Sequence, residues 1–215
     1  MKFVPALFAS LLTTAILVPA AQANLLTNSS FEQTNLTNAV GYCYLGGACA
    51  EPGWSGNAVI IGAQSAPWGW PNQPGGYSYG NQLAGLQNGT YIQQVLSLAA
   101  GSYALDWADS GRLSYGGYQF FGAAQYRVLF NDQLLGSFTT QPGEAWALNH
   151  LSFTATGPGT LRFQGMDLRS DTTAFIDGLN LTANPVVVAV PEPASLALVA
   201  LALAGVGVVR RRRQG

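Results

Sequence analysis

The chain is 215 residues long, 48% hydrophobic and only 9% charged, with a formal net charge of −1 at pH 7. That apolar content is ample for a folded core and excludes a disordered chain. Its 9 lysines and arginines build no basic footprint on the body of the chain, which excludes a nucleic-acid partner because nothing is there to neutralise phosphates.

Lys2, the apolar stretch Phe3 to Val18 and the small-residue site Ala21-Gln22-Ala23 read as a secretory signal peptide, residues 1–23, cleaved before Asn24. The body, residues 24–184, then has the length of one domain and lies outside the cytoplasm. It contains no lysine and sets four arginines, Arg112, Arg127, Arg162 and Arg169, against nine carboxylates, so it is mildly acidic. Low charge with abundant Gly, Asn, Gln, Ser, Thr and aromatics fits an extracellular β-rich domain. Near its start Cys43 and Cys49 flank a short glycine-rich loop. In an oxidising compartment a local disulfide is expected, and no further Cys or nearby His completes a metal site.

Pro67-Trp68-Gly69-Trp70-Pro71 and the following Asn72 to Tyr79 form a Pro/Gly-rich aromatic segment. A stiff backbone holding Trp68, Trp70, Tyr77 and Tyr79, with Asn72 and Gln73 beside them, suits a sugar site. Rings would stack on the apolar faces of a sugar while amides bond its hydroxyls. A second aromatic loop, Tyr115 to Phe121, is a candidate for another wall of the same cleft. The same rings serve equally to cap a core or to support protein association, since large aromatics bury area with or without a ligand. Both readings stand. Gly76-Tyr77-Ser78-Tyr79-Gly80 matches G-x-S-x-G, but no strand precedes it and no helix follows, so a serine hydrolase using Ser78 is an outlying alternative.

From residue 103 onwards period-two alternation dominates. Tyr103, Leu105 and Trp107 alternate with Ala104, Asp106 and Ala108. Tyr126, Val128 and Phe130 repeat the pattern and run into Asn131-Asp132, a hairpin signal. Leu151, Phe153 and Ala155 alternate with His150, Ser152 and Thr154, and Phe175, Asp177, Leu179 and Leu181 finish the body. His150, the single histidine, falls on a polar face and is expected to be exposed. Asp106 and Asp109 read as strand-end and turn carboxylates rather than a glycosidase pair. Many short strands with Gly/Pro turns, and no long amphipathic helix before Ala194, predict an all-β jelly-roll sandwich. No catalytic residue is assigned.

Residues 185–190 read as a stiff extended linker between Pro185 and Pro191. Pro191-Glu192-Pro193 follows, then the uncharged run Ala194 to Val209 and the cluster Arg210, Arg211, Arg212 and Arg213. As a helix, residues 194–209 would be apolar on every face and about 24 Å long at about 1.5 Å per residue, a marginal membrane span. The arginines should stay cytoplasmic, which puts the body on the far side of the membrane.

Pro-Glu-Pro, an apolar span and a terminal arginine cluster, in that order, resemble the PEP-CTERM sorting signal of exported bacterial envelope proteins. The resemblance implies recognition and cleavage by a membrane-embedded exosortase in a system tied to exopolysaccharide. Pro191, Glu192 and Pro193 would then be recognition residues. Asn24 to Glu32, Gly53-Trp54, Tyr91 to Gln94, Gly101 to Tyr103 and Phe175 to Leu181 together resemble galactose-binding-domain-like carbohydrate-binding modules. Asn28-Ser29-Ser30-Phe31-Glu32 departs from that family's Asn-Gly-x-Phe-Glu start. The resemblance implies that the first and last elements are neighbours, with a structural calcium where they meet, held by Glu32 and Asp177 and by backbone carbonyls. The function expected is that of a non-enzymatic cell-envelope or extracellular-matrix protein. It would sit in the inner membrane as a precursor with its body in the periplasm, then pass to the cell surface or matrix. A carbohydrate-binding module attaching to exopolysaccharide is the alternative.

Overall fold

The computed structural model describes residues 22–34, 36, 41–47, 49–71, 78–113, 122–166, 171–184 and 202–203. The chain divides into two compact units, Met1–Ala183 and Asn184–Gly215, and the strands all belong to the first. The expected signal peptide up to residue 21, the linker 185–190, and the span 194–209 apart from Ala202 and Leu203 lie outside the described residues. Among the described residues no helix is long and apolar enough to cross a membrane.

The first unit is all-β. Its strands are β1 (Tyr42–Tyr44), β2 (Ser55–Gly56), β3 (Val59–Gly62), β4 (Gln82–Gln87), β5 (Tyr91–Leu96) and β6 (Gly101–Gly111). Then come β7 (Ala124–Phe130), β8 (Gln133–Thr140), β9 (Ala147–Ala155), β10 (Gly159–Gly165) and β11 (Thr173–Ala183). They form a six-stranded sheet 1, ordered β1-β3-β4-β11-β6-β9, and a five-stranded sheet 2, ordered β2-β5-β10-β7-β8. The strand pairings in both sheets are antiparallel.

The two sheets face each other across a shared apolar core, as the alternation predicts. Tyr103, Leu105 and Trp107 of sheet 1 meet Tyr126, Val128, Phe130, Leu161 and Phe163 of sheet 2. Trp107 is the hub: Phe138 and Phe163 meet its ring edge-on at 4.8 and 5.5 Å. Its Nε1–H donates to the Tyr126 hydroxyl at 2.7 Å, and that hydroxyl donates to Asp109 Oδ2 at 2.6 Å. This string joins the sheets through three buried polar groups, each satisfied by the next. Asp109, read from the sequence as a strand-end or turn carboxylate, is therefore a core residue.

The Asn131-Asp132 hairpin forms as expected between β7 and β8, both residues with positive φ (50° and 62°). Asn88-Gly89 makes a second such turn between β4 and β5, with φ of 50° and 76°. Sheet 1 also departs from simple alternation. Val59 to Gly62 is buried at every position, so this strand carries no period-two signal. In β11 the register shifts between Asp177 and Asn180, with Gly178 at φ 59°. Ahead of the bulge Ala174 and Ile176 face the main core and Phe175 the opposite side; the extra residue switches the alternation, so that beyond it Leu179 and Leu181 face the core, and Phe175 does not share a face with them.

The N-terminal segment closes one end of the sandwich. Leu25 donates to Leu181 O at 2.8 Å and Asn24 brackets the same strand, donating to Leu179 O and accepting from Leu181 N–H at 2.8 and 2.9 Å. On the other sheet the Gln94 amide accepts from Thr27 N–H and donates to Thr27 O, at 2.8 and 2.9 Å. The start of the body is thus held beside its last strand, the arrangement that the galactose-binding-domain resemblance implies.

Burial raises the Asp109 pKa above its ordinary value, and the Tyr126 and Asn149 hydrogen bonds only partly oppose it. The folded state therefore holds this proton more tightly than the unfolded chain, so the Asp109 contribution is complete below about pH 4 and is lost as pH rises through the raised folded value. Asp109→Asn keeps an acceptor for Tyr126 without the charge. The wild-type melting temperature should fall relative to Asp109→Asn between pH 4 and pH 8; a constant difference would contradict the assignment.

Candidate functional site

Sheet 1 turns a second face away from the shared core. Pairing sets Tyr42 beside Ile61 and Tyr44 beside Val59, followed by Leu83 and Gly85 on β4, then Phe175 on β11. Val59, Ile61, Ala63, Leu83 and Phe175 form a second apolar cluster here, closed by Trp68 and edged by Trp146.

Trp68 reaches this face through a 3-10 turn, Ala66–Trp68. Pro67 lies in its first turn, where a missing N–H is harmless, and Gly69 ends it at φ 77°, donating to Ala66 O at 2.9 Å. A Cβ on Gly69 would lie 2.2 Å from Leu113 O, so both conformation and space demand glycine.

Arg112 follows β6 and packs its guanidinium 4.3 Å above the Trp68 ring. Its Nη2 donates to Pro67 O at 2.9 Å and its Nη1 to Asp171 Oδ1 at 3.1 Å. The Gln87 amide donates to the same Asp171 oxygen. Burial lowers the Arg112 pKa, with Asp171 and Tyr44 opposing. Burying a cation costs several kcal/mol, whereas a pair with Asp171, 51% exposed, returns at most about 1 kcal/mol. A desolvated cation–π contact adds about 2 kcal/mol. The assembly contributes little net stability; it fixes side chains in place.

Two tyrosines complete the site. Tyr42 meets Trp68 edge-on at 5.5 Å and Tyr44 edge-on at 6.1 Å, and the two are 47% and 45% exposed. Between them Cys43 faces the core and bonds to Cys49, the disulfide expected from the sequence. The outcome is an open basin of about 180 Å³ lined by Tyr42, Tyr44, Trp68, Gln87, Arg112 and Asp171, with Pro67 at its edge. Burial, then Tyr42 and Asp171, raise the Tyr44 pKa, so its phenol stays protonated at neutral pH and can both donate and accept.

The aromatic segment is divided between packing and surface. Trp68 is 4% exposed, with Arg112 over its ring, so it serves as core and is not a free stacking platform. Trp70 is 38% exposed. Tyr79 is half-buried, its ring 6.2 Å from Trp146 and packed on the Gly178 bulge. Asn72, Gln73, Tyr77 and the loop 115–121 lie outside the described residues. Tyr42 and Tyr44 lie outside the aromatic clusters of the sequence; their signal is Tyr-Cys-Tyr, whose alternation puts two rings on the face opposite the disulfide.

Ser78 is exposed and leads within a few residues into β4, so a strand and not a helix follows it. His150, on the outward side of β9, does find an acid: its Nδ1 lies 2.6 Å from Asp106 Oδ1, and its Nε2 lies 3.3 Å from Ser152 Oγ. The order Asp-His-Ser is that of a hydrolytic triad, but His150 is 61% exposed and Asp106 44%. The string lies in solvent, without the water-excluded setting that makes such groups effective.

Glu32 and Asp177, the two carboxylates expected to hold calcium, are both engaged by backbone N–H groups. Glu32 Oε1 accepts the N–H groups of Asn81 and Gln82, both at 2.7 Å. Asp177 is fully buried and accepts the Gly178 N–H at 2.6 Å. Calcium takes six to eight oxygens, and among the described residues no group of three or more His, Cys, Asp or Glu comes together.

Residues 189–213 match the PEP-CTERM protein-sorting motif. Pro191, Glu192, Pro193 and Arg210 to Arg213 fall within the matched segment, although outside the described residues. The motif implies export with membrane-associated sorting and processing by an exosortase. No curated protein matches the chain significantly. Among solved structures the chain is similar to a family 35 carbohydrate-binding module from Clostridium thermocellum, at 19% identity over 52% of this chain and 84% of that one, with a TM-score of 0.38. It is also similar to the CBM36-1 domain of a multidomain xylanase from the hindgut metagenome of Trinervitermes trinervoides (17% identity, 60% and 100% covered, TM-score 0.40). A third is TmCBM61 in complex with β-1,4-galactotriose (15% identity, 75% and 99% covered, TM-score 0.44).

Two measurements check these assignments. Trp68→Ala should cost about 3–5 kcal/mol in chemical denaturation, as for a core Trp, whereas Trp70→Ala should stay within about 1 kcal/mol; equal losses would contradict the division. A melt with and without chelator tests the calcium expected at Glu32 and Asp177: a clear drop in melting temperature supports it, and an unchanged midpoint counts against it.

Proposed function

We propose that the protein is an exported, non-enzymatic component of the cell envelope or extracellular matrix, delivered and released through its C-terminal motif. The observation that carries this reading is the PEP-CTERM match over residues 189–213. The Cys43–Cys49 bond supports it, since such a bond persists in an oxidising compartment. In this reading the precursor is held in the inner membrane by residues 194–209 with its body in the periplasm. Cleavage near Pro191-Glu192-Pro193 then passes the body to the surface or matrix. The non-enzymatic part is supported by the open setting of the Asp106, His150 and Ser152 string. Attachment to exopolysaccharide is the second reading, favoured by the two exposed tyrosines beside the fixed Arg112–Asp171 pair.

Fractionating cells that express the wild-type chain or a variant with Arg210 to Arg213 replaced by glutamine tests the sorting. Mass spectrometry should find the wild-type body outside the membrane fraction without its tail, while the variant stays longer and membrane-bound. Identical distributions and masses would overturn the reading.

A further inference from the structure

We propose that the basin formed by Tyr42, Tyr44, Gln87, Arg112 and Asp171 binds one ring of a neutral saccharide. This rests on the second reading above and gives it a place on the molecule different from the Trp68–Tyr79 segment.

Size sets the first limit. The basin is open and small, about 180 Å³, below the roughly 300–1,000 Å³ of pockets that enclose a drug-sized ligand, which suits one sugar ring and not an enclosed oligomer. Its walls supply the chemistry a polyol requires. Tyr42 and Tyr44 expose nearly half their surface, giving apolar area beside two hydroxyls that donate and accept. Asp171 Oδ1 takes the bonds from Gln87 and Arg112, which leaves its other oxygen without a partner among the described residues and able to accept from sugar hydroxyls. Few polar groups, firmly placed beside apolar rings, are what a small-molecule site consists of.

Charge decides the class. Arg112 and Asp171 neutralise one another, so the basin carries no net charge to attract an ionic ligand. Arg112 is buried and both its terminal nitrogens are already bonded, to Pro67 O and Asp171, so it offers no open fork for a uronate or a phosphate. A quaternary ammonium would find ring surface but would sit close to the Arg112 cation stacked on Trp68. A neutral, hydroxyl-rich ligand meets neither obstacle.

The basin is also built before any ligand arrives. Arg112 is held from three sides, by the Trp68 ring, Pro67 O and Asp171. Tyr42 and Tyr44 ride on a strand that is paired to β3 and tied by Cys43 to Cys49. Binding therefore orders little that is not already ordered, which favours affinity.

The test uses the full chain, purified in a detergent without sugar headgroups and applied to an array of neutral, acidic and amino oligosaccharides together with choline. The best neutral oligosaccharide is then titrated by intrinsic fluorescence. At least one neutral oligosaccharide should bind; Tyr42→Ala/Tyr44→Ala should weaken it tenfold or more, and Asp171→Asn should weaken it at least threefold. Trp70→Ala should leave it unchanged, with melting temperatures showing that each variant is folded. The proposal is overturned if no neutral sugar binds, if binding survives both variants, if Trp70→Ala alone abolishes it, or if only acidic sugars or choline bind. A chain sorted correctly but blind to sugars would defeat the basin and leave the sorting reading intact. A chain that binds sugar but ignores its arginine tail would do the reverse.

Discussion

An antiparallel sheet commonly keeps one face for the core and one for water, and the requirement that governs this molecule is that sheet 1 is apolar on both. Val59, Ile61, Leu83 and Phe175 cannot be left exposed, so a layer must cover them. The cover is a short aromatic segment whose path is set by Pro67 and Gly69. Laying Trp68 on the sheet brings Pro67 O and the indole ring within reach of Arg112, and Arg112 in turn holds Asp171. The candidate site is thus a by-product of waterproofing: the residues that seal the second core also fix the polar groups at its rim.

The shared core follows a different logic. There the sheets meet through large rings around Trp107, and the polar atoms those rings bring are joined to Asp109 in a single string. A buried carboxylate is costly to ionise, yet removing any member of the string would strand its neighbours, which is costlier still. The string also ties the two sheets to one another, since Trp107 and Asp109 lie on β6 of sheet 1 and Tyr126 on β7 of sheet 2.

Much of this was legible from residue types alone. Alternation identified the strands around Tyr103, Tyr126 and Phe153, and Asn131-Asp132 marked its hairpin, because these elements bury one face and their turn requires positive φ. The same logic failed for Val59 to Gly62, since a strand covered on both sides has no period to display. Asp109 was misplaced for a related reason: a carboxylate in a strand reads as polar until its buried phenol partner is known. Clustered aromatics place the sugar-site expectation on residues 67–79, but sequence does not distinguish a ring that covers a core from one left outside, and Trp68 is the former. Tyr42 and Tyr44, separated from that cluster by more than 20 residues, become its neighbours only through the β1–β3 pairing.

The Cys43–Cys49 bond gives the basin a history. β1 is a three-residue edge strand with one neighbour, too short to be held firmly by its ladder alone, and the bond that secures it does not persist in a reducing cytosol. In the exported form proposed for the chain, the setting of the two tyrosines is thus tied to compartment: the bond that braces their strand is one that an oxidising space sustains.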